Sequence, residues 1–213
     1  MHTIIVDVDD LSPSKPGLDM LLAVKDHLPN FKVTCFTPAM DQGIIKKQVT
    51  IEKVEEWTTL LKKYPWIEIA PHGFLHIEHE MEVNYADANK IIDGCEHMFD
   101  KIKLPYVKIW KSPYWQTSLD CYMALRDRGY VVAIDKNQPI PNISGLKYYV
   151  FNKSLEEPFT KTEPEIVKWH GHVGGTFYND ISWCAASLST TPTDAKFLTI
   201  SEYLELYGPE QTN

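Results

Sequence analysis

The most informative stretch of the chain runs from Thr3 to Asp10 and reads TIIVDVDD. Its first six residues, Thr3–Val8, are almost all apolar or β-branched, and their number matches a strand buried in a parallel sheet. Two acidic residues, Asp9 and Asp10, follow where that strand would end. In barrels and doubly wound sheets, the carboxyl end of the strands carries the chemistry. The stretch therefore predicts the opening strand of an α/β fold, with an acidic pair at its functional end.

The rest of the chain repeats this pattern, with helices in between. Six further apolar runs of strand length occur at Phe31–Phe36, Trp66–Ala70, Tyr106–Trp110, Tyr130–Ile134, Lys147–Phe151 and Ile166–Trp169. Apolar residues at helical spacing predict helices at Leu18–Leu28, Ile51–Tyr64, Ala86–Ile102, Leu119–Arg128 and Ser201–Leu206. Seven strands interleaved with helices predict an α/β protein. The connection over 135–146 and the residues after the last strand show no regular pattern, so we expect an imperfect repeat.

Length and composition limit the class of protein. The chain has 213 residues, 44% of them hydrophobic, which predicts one domain spanning 1–213 with a substantial core. Its formal net charge is −8 and it has no long basic run, which argues against nucleic-acid binding. No apolar stretch is long enough to cross a membrane and no leader pattern opens the sequence, so we expect a cytoplasmic protein. Four widely spaced cysteines are expected to be reduced thiols: Cys35, Cys95, Cys121 and Cys184.

Polar residues follow most of the predicted strands. They are Asp9 and Asp10 after the first strand, His72 and His76 after the third, Lys111, Pro113 and Tyr114 after the fourth, Asp135 after the fifth, and His170 and His172 after the seventh. Because the carboxyl ends of the strands meet on one face, we expect these distant residues to line a single pocket.

The acidic residues at the end of the first strand allow two interpretations. Asp7, Asp9 and Asp10 repel one another unless a cation or a shared proton is present. A single aspartate at this place would otherwise be the N-cap of the next helix. The adjacency of Asp9 and Asp10 favours metal binding or acid–base chemistry.

His72 and His76 form the second candidate group. Two histidines at i, i+4 on a helical turn lie on one face, about 5–6 Å apart at Cβ, which suits a single metal ion. A surface or capping role is the alternative. The charged residues nearby are interpreted as a solvated face: Glu78, His79, Glu80 and Glu82.

Two later motifs supply aromatic rings and two more imidazoles. Tyr114 and Trp115 could stack on a sugar ring or pack as ordinary turn residues. His170 and His172 are candidates for a general acid near pH 7, or for buried hydrogen-bonded residues. A cation held by one aspartate and two histidines, beside a separate carboxylate and imidazole, fits hydrolysis of an amide or ester.

In this order, the residues resemble the motifs of the polysaccharide deacetylases, which are the NodB-homology domains of carbohydrate esterase family 4. The matching elements are the Asp9-Asp10 pair, the HGFLH element His72–His76, the Lys-x-Pro-Tyr element at 111–114 and His170. The resemblance covers residues 4–172 and is closest to compact cytoplasmic or phage-type members, which for a phage protein means the host cytoplasm. It implies an α/β fold of the distorted (β/α)7 barrel type. It also implies metal-dependent removal of an N-acetyl or related acyl group from an N-acetylated sugar or glycan.

The resemblance further implies a metal site with a base and an acid. Asp10, His72 and His76 would hold one divalent ion, usually Zn²⁺, with Ni²⁺, Co²⁺ and Fe²⁺ as alternatives. Asp9 would be the general base for the attacking water. His170 would be the general acid on the leaving amine.

The element at 111–114 implies the substrate and oxyanion group. The backbone N–H of Tyr114 would help bind the oxyanion, and Lys111 would orient the base. Pro113 belongs to the same element, and Trp115 follows it as a residue that would contact substrate.

The sequence departs from the family pattern at several points. Leu11 stands where the family has glycine, and Lys111 stands for an arginine, which keeps the charge but loses the planar fork. Asp135 is the nearest candidate for the family's Asp-x-x-Trp motif. We expect the chain to leave the sheet near His170, which favours it as the acid, and we expect His172 at the rim of the pocket.

Two other functions remain open at this point. Asp7-Val8-Asp9 looks like the D-x-D nucleophile motif of the haloacid-dehalogenase phosphatases, although the later lysine and paired acidic motif of that family are missing. A sugar-binding module that kept the fold and lost its activity is the non-enzymatic alternative.

Overall fold

The computed structural model describes residues 2–15, 17–40, 42–46, 48–174 and 180–211, without the side chains of residues 42, 44, 182–184 and 211. The strands in this part are β1 (Thr3–Asp9), β2 (Val33–Thr37), β3 (Ile67–Pro71), β4 (Ile109–Trp110), β5 (Val131–Asp135), β6 (Lys147–Phe151), β7 (Lys153–Ser154), β8 (Ile166–His172), β9 (Lys196–Leu198) and β10 (Glu210–Gln211). The helices are α1 (Gly17–His27), α2 (Gln42–Ile45), α3 (Ile51–Leu61), α4 (Tyr85–Lys101), α5 (Leu119–Asp127), α6 (Ile181–Ser189) and α7 (Ile200–Tyr207). A 3₁₀ turn covers Pro113–Trp115.

The strands form two sheets that join into one ring. The first sheet has the order β3-β2-β1-β8-β7, with β9 beside the first half of β1, and the second has the order β10-β6-β5-β4. The chain passes from the second sheet to the first at Asn152, between β6 and β7. On the other side, the N–H of Val107 donates to the carbonyl of Ile69 at 2.9 Å. The N–H of Lys111 donates to Pro71 at 3.2 Å. With β6 and β7 counted as one, these two seams complete the predicted distorted ring of seven strands.

Side chains alternate along each strand between the interior of the ring and the helices outside. On β1, Ile5 belongs to the interior cluster, whereas Ile4 and Val6 pack in the outer one. The other strand residues of the interior cluster are Phe36, Ala70, Ile109, Ala133, Tyr149, Phe151 and Leu198. The same alternation places Asp7 and Asp9 on the interior side of β1, towards its carboxyl end.

Helix α7 closes the amino-terminal end of the ring. The N–H of Ile200 donates to Oγ1 of Thr34 at 2.9 Å, and the N–H of Ser201 donates to Oε1 of Glu68 at 3.2 Å. Thr34 and Glu68 lie at the starts of β2 and β3. Ile200 and Tyr203 complete the apolar interior cluster. A polar site is therefore left to the opposite, carboxyl end of the strands.

All five predicted helices occur within a few residues of their predicted bounds, and Gly129 ends α5 with a φ of +76°. The predicted strand Tyr106–Trp110 forms a ladder only at Ile109–Trp110. Four shorter elements were not predicted from the sequence, namely α2, β7, β9 and β10, since each is shorter than the patterns that identify an element. Helix α6 was also missed, because it lies in the stretch that was expected to be irregular.

The last predicted strand is longer than its apolar run. β8 continues to His172, so the expectation that the chain leaves the sheet near His170 is wrong. In the β1–β8 ladder, Gly171 pairs with Val8 and His172 pairs with Asp9. The prediction failed because it took the end of the apolar run for the end of the strand. Here β8 continues into a polar pocket. Its inward side chains become polar there, but its backbone pairing with β1 continues.

Two further expectations concern membranes and cysteines. Within the described residues, no helix combines the length and the apolar character that a membrane span requires. Cys35, Cys95 and Cys121 are buried free thiols, as expected. The side chain of Cys184 lies outside the described residues.

Candidate active site

A cavity of about 780 Å³ opens at the carboxyl end of the strands. Its walls include eight residues that the sequence pointed to: Asp9, Asp10, His72, His76, Tyr114, Trp115, His170 and His172. Asp135 also lines it. Lys111 and Pro113 are buried beneath this surface. The structure thus brings residues from five strand ends to one place.

Asp10, His72 and His76 form a compact group of metal-type donors on one side of the cavity. Nε2 of His76 lies 3.2 Å from Oδ1 of Asp10 and 3.2 Å from Nε2 of His72. One ligand atom from each of the three residues lies within 4.8 Å of the others. Two imidazole nitrogens and a carboxylate oxygen are a donor set that suits zinc and similar divalent ions.

The environment of His72 fixes which nitrogen can bind a metal. Its ring is buried, and Nδ1 donates to the backbone carbonyl of Lys111 at 2.9 Å, which leaves Nε2 facing the cluster. Burial lowers the pKa of His72 to about 4, although Asp9 and Asp10 act in the opposite direction. A neutral imidazole held by a carbonyl through its other nitrogen is the form that ligates metal ions. The residues present therefore fit a divalent cation.

The segment between His72 and His76 is a loop rather than the predicted helical turn. Gly73 has a φ of +75° and His76 a φ of +54°, so neither residue is helical. A Cβ at Gly73 would lie 2.4 Å from Oε2 of Glu80 and 2.5 Å from Cγ of Pro113, so a side chain has no room there. The two imidazoles meet because the loop reverses tightly at glycine, and the i, i+4 argument reached the right pairing for the wrong reason.

Glu80 gives this loop its shape. Its Oε1 accepts the backbone N–H groups of Phe74 at 2.8 Å and Leu75 at 2.7 Å, and its Oε2 accepts that of His76 at 3.1 Å. The prediction that Glu80 belongs to a solvated face is wrong, since it is only 8% exposed. Burial raises the pKa of Glu80, and the three N–H groups oppose that shift. The Glu80 carboxylate therefore accepts the N–H groups that backbone carbonyls would accept in a helix.

Asp10 enters the cluster through an unusual backbone conformation. Its φ is +73°, and its N–H donates to the carbonyl of Phe36 at 3.0 Å. Oδ2 of Asp10 lies 3.2 Å from Nζ of Lys15, while Oδ1 faces the histidines. The left-handed conformation turns the Asp10 side chain out of the strand and towards His76.

Lys111 is a buried cation at the centre of the site floor. Its Nζ donates to a carboxylate oxygen of Asp7, and to Oδ1 of Asp9 at 2.8 Å. It also lies 3.0 Å from Nδ1 of His170 and 4.0 Å from the centre of the Phe36 ring. One ammonium group therefore links side chains of β1 and β8.

Asp9 lies between the two histidine groups. Its Oδ2 is 3.5 Å from Nε2 of His72 and 3.8 Å from Nε2 of His170. Burial alone would raise the pKa of Asp9, but the charge of Lys111, with those of the neighbouring histidines, brings it well below its usual range. Asp9 is consequently held as a carboxylate, with one oxygen on Lys111 and the other directed to the cavity.

His170 and His172 both face the interior because they are two residues apart on β8. The His170 ring is buried, with centroids 4.5 Å from Phe151 and 5.4 Å from Trp115. Its Nδ1 lies 2.8 Å from Oδ1 of Asp7. The His172 ring is 5.4 Å from that of His170 and is partly exposed at the cavity. His172 still belongs to β8, where it pairs with Asp9 of β1.

Comparisons with known proteins identify this architecture. No family model and no curated protein sequence matches the chain. Among solved structures, a family 4 acetyl xylan esterase from Clostridium thermocellum in complex with a cobalt ion has a TM-score of 0.59 at 14% identity, over 97% of this chain and 92% of that one. The peptidoglycan deacetylase PdaC from Bacillus subtilis has a TM-score of 0.63 at 12% identity, over 96% and 91%. The fold is that of the CE4 polysaccharide deacetylases.

A third similar structure also bears on function. A CE4 family pseudoenzyme from Bacillus anthracis has a TM-score of 0.63 at 8% identity, over 96% of this chain and 66% of that one. The CE4 fold therefore occurs with and without activity, and the site residues have to carry the functional argument.

A second group of metal-type donors lies on the other side of the cavity. It consists of Asp9, His170 and His172, whose ligand atoms also lie within 4.8 Å of one another. The ammonium of Lys111 contacts two of these three residues and would repel a cation. Lys15, which contacts Asp10, is 36% exposed in its side chain and can move away into solvent. The Asp10 group is therefore the better metal site.

The aromatic residues after β4 have different positions in the site. Tyr114 and Trp115 both have positive φ values, +55° and +61°, which turn them towards the cavity. Tyr114 is 55% exposed, and its ring centroid lies 5.3 Å from that of His76. Trp115 packs against Phe151 and His170 and forms part of the wall. Tyr114 is thus available to a ligand, whereas Trp115 mainly supports His170.

Two departures from the CE4 sequence pattern have structural explanations. Leu11, which replaces a glycine, is fully buried, and a Cβ at Gly17 would lie 3.1 Å from its Cδ1, so Leu11 packs beneath α1. Asp135 accepts the N–H of Asn137 at 2.7 Å and makes no described contact with His170. The carboxylate at Nδ1 of His170 belongs to Asp7, at 2.8 Å.

Asp7 and Glu80 are the two residues whose roles in the site the sequence did not reveal. Asp7 carried a usable signal, because it has the same parity on β1 as Asp9. Glu80 carried none, since nothing in its spacing indicates that it folds back on the loop.

Proposed function

We propose that this chain is a metal-dependent hydrolase that removes an N-acetyl or related acyl group from a carbohydrate-type substrate. The observation that carries the proposal is the placement of Asp9 between the Asp10–His72–His76 group and His170, all on one cavity. The fold neighbours named as an acetyl xylan esterase and a peptidoglycan deacetylase support the same reaction class.

Asp10, His72 and His76 would hold one divalent cation, Zn²⁺ first, with Ni²⁺, Co²⁺ or Fe²⁺ as alternatives. When bound, the ion supplies Lewis-acid polarisation of the acyl carbonyl and lowers the pKa of a water molecule towards 7. The protein contributes two imidazoles and a carboxylate in a fixed arrangement, because a carbonyl orients His72 and Glu80 holds the backbone of His76.

Asp9 is the proposed general base. Its Oδ2 faces the cavity and takes the proton of the attacking water, while Lys111 holds Oδ1. In the family pattern an arginine would orient the base. Here Lys111 would do so, with one ammonium group in contact with both Asp7 and Asp9.

His170 is the proposed general acid. Cleavage of the carbon–nitrogen bond leaves a nitrogen that cannot depart as an anion, so it needs a proton. His170 donates that proton from Nε2, and the products are the free carboxylic acid and the amine. His172 lies further out on the same strand face and would contact the substrate at the rim. The backbone N–H of Tyr114 would bind the carbonyl oxygen as its charge develops.

The cavity suits a polar substrate of sugar size. A volume of about 780 Å³ is within the usual range for a small-molecule site. Tyr114 offers an exposed ring for stacking, and polar side chains such as Lys136 and Asn137 line the far wall. An N-acetylated sugar or short glycan matches these properties.

Release of acetate from N-acetyl sugars, chito-oligosaccharides, acetylated xylo-oligosaccharides and N-acetyl peptides tests the proposal. The purified chain is reconstituted with one equivalent of Zn²⁺ or Co²⁺, and Asp9→Asn serves as the metal-binding control without a base. We expect release from at least one sugar substrate by the wild type only. No release from any substrate by a protein with stoichiometric metal would reject it.

The inactive sugar-binding module is the second candidate. It is favoured by the similarity to a pseudoenzyme and by the replacement of the family's arginine with Lys111. Retained glycan binding by a metal-loaded protein that releases no acetate would identify it. The phosphatase alternative loses support, because its nucleophile would be Asp7, which is fully buried beneath the cavity.

A further inference from the structure

We propose that Asp7 is the positioning residue for His170, holding its Nδ1 proton so that Nε2 faces the leaving group. The inference rests on the proposed function, because it gives a role to the contact behind the proposed acid. Nothing in the sequence pattern gave Asp7 this role.

The contact between the two side chains is direct and buried. Asp7 is fully buried, and its Oδ1 accepts a hydrogen bond from Nδ1 of His170 at 2.8 Å. Nε2 on the other side of the ring is directed to Asp9, 3.8 Å away, at the cavity. Nζ of Lys111 also lies 3.0 Å from Nδ1 of His170, but its ammonium donates to the carboxylates of Asp7 and Asp9. With Asp7 as the acceptor, Nδ1 of His170 carries its proton inside the protein and Nε2 meets a substrate.

Strand register fixes this pair. Asp7 and His170 are direct partners in the parallel β1–β8 ladder, so their backbones are held together by the central strands of the sheet. Phe151 and Trp115 pack against the His170 ring and restrict its plane. Asp7 thus acts on an imidazole that has few other orientations.

Asp7 lies in a buried group of charged side chains. Two carboxylates, Asp7 and Asp9, share the single ammonium of Lys111, so this buried group carries one excess negative charge. Oδ2 of Asp7 makes no hydrogen bond to any described residue. To donate from Nε2 while Nδ1 stays bonded to Asp7, His170 has to carry a proton on each of its two nitrogens at that step.

The role can be separated from a structural one through the leaving group. An amide nitrogen needs a proton to depart, but the nitrophenolate of 4-nitrophenyl acetate leaves without one. Loss of the acid or of its positioning carboxylate should therefore slow the amide reaction and spare the ester. Damage to the metal site or the base should slow both.

The test is Asp7→Asn in the zinc-loaded protein, assayed on the best N-acetyl sugar and on 4-nitrophenyl acetate. We expect kcat for the sugar to fall roughly 10²–10³-fold, with KM within about threefold and ester hydrolysis within about threefold of wild type. His170→Ala should show the same pattern. The double variant should be no worse than His170→Ala alone, because both changes remove one function.

Two controls keep the outcome clear. Glu68→Gln removes a carboxylate from the opposite end of the same ring and should change neither reaction. Zinc content and melting temperature of Asp7→Asn report whether the site is intact. Equal loss on amide and ester, or no loss on either, would overturn the positioning role.

A measurement on the wild type covers the case in which the variant does not fold. Nitrogen-15 spectra of the zinc-loaded protein, with the His170 signals identified by their loss in His170→Ala, should show the proton on Nδ1. A neutral ring protonated on Nε2 would refute the proposal. If the wild type releases no acetate while Nδ1 carries the proton, the proposed function fails and the Asp7–His170 contact stands.

Discussion

The two pairs of histidines in the cavity are held in different ways. His72 and His76 belong to a loop whose shape depends on one internal carboxylate, Glu80, bonded to three successive N–H groups. His170 and His172 lie on a central strand, where the ladder with β1 fixes their spacing. The loop pair converges on a common point, and the strand pair is spread along the cavity wall. A loop can bring two ligands to one ion, whereas a strand places groups at successive depths.

Asp9 lies close to a histidine of each pair, and its replacement should reduce the rate of hydrolysis more than any other change. Asp9→Asn removes the proton acceptor for the water in any acyl transfer, so amide and ester hydrolysis should both fall roughly 10²–10⁴-fold. Metal content, measured by elemental analysis, should stay near one per chain. A variant with near-normal rates would show that another group is the base.

The strand histidines should differ from each other. His170→Ala should remove the alkaline limb of the pH–rate profile for amide hydrolysis and reduce its rate roughly 10²-fold or more. His172→Ala, at the rim, should mainly raise KM. The reverse result would make His172 the acid and would mean that depth in the cavity does not decide the role.

Glu80→Gln disturbs the loop that carries His72 and His76. An amide has one acceptor oxygen, so it leaves at least one of the three N–H groups facing another donor, and the His76 side of the metal site loosens. We expect metal affinity to fall roughly 10–100-fold, as for other groups that orient ligands. Titration with Zn²⁺ against a competing chelator measures this, and exposed Glu78→Gln is the matched control. Equal affinities in the two variants would show that the loop holds its shape without Glu80.

The smallest expected effect lies on the rim. Tyr114→Ala removes an exposed ring near His76 and should raise KM for a sugar about 2–10-fold, the usual value of one aromatic contact. kcat and metal content should not change. A fall in kcat with an unchanged KM would place Tyr114 in the reaction itself.

The sequence predicted the pocket better than it predicted the parts that organise the pocket. Asp9, His72 and His170 were brought together correctly because parallel strands share one functional end, and this follows from strand order alone. The Asp7–His170 contact needs the register of β1 against β8, which no local pattern contains. Glu80 and the positive φ of Asp10 depend on how loops fold back, and apolar periodicity is silent there. The true end of β8 was missed because strand residues that line a polar pocket are as polar as loop residues, and hydropathy does not distinguish them.

The position of β1 also has a consequence for how the chain folds. Its partner β8 is far away in the sequence and carries His170, which is 163 residues from Asp7. Its first half pairs with β9, which comes later still. Until those residues are synthesised, Thr3–Asp9 exposes an unsatisfied and mostly apolar edge. Contacts this distant in sequence slow folding and leave such edges open to aggregation. The same ladder that fixes the histidines therefore makes the nascent chain dependent on protection until β8 and β9 have been synthesised.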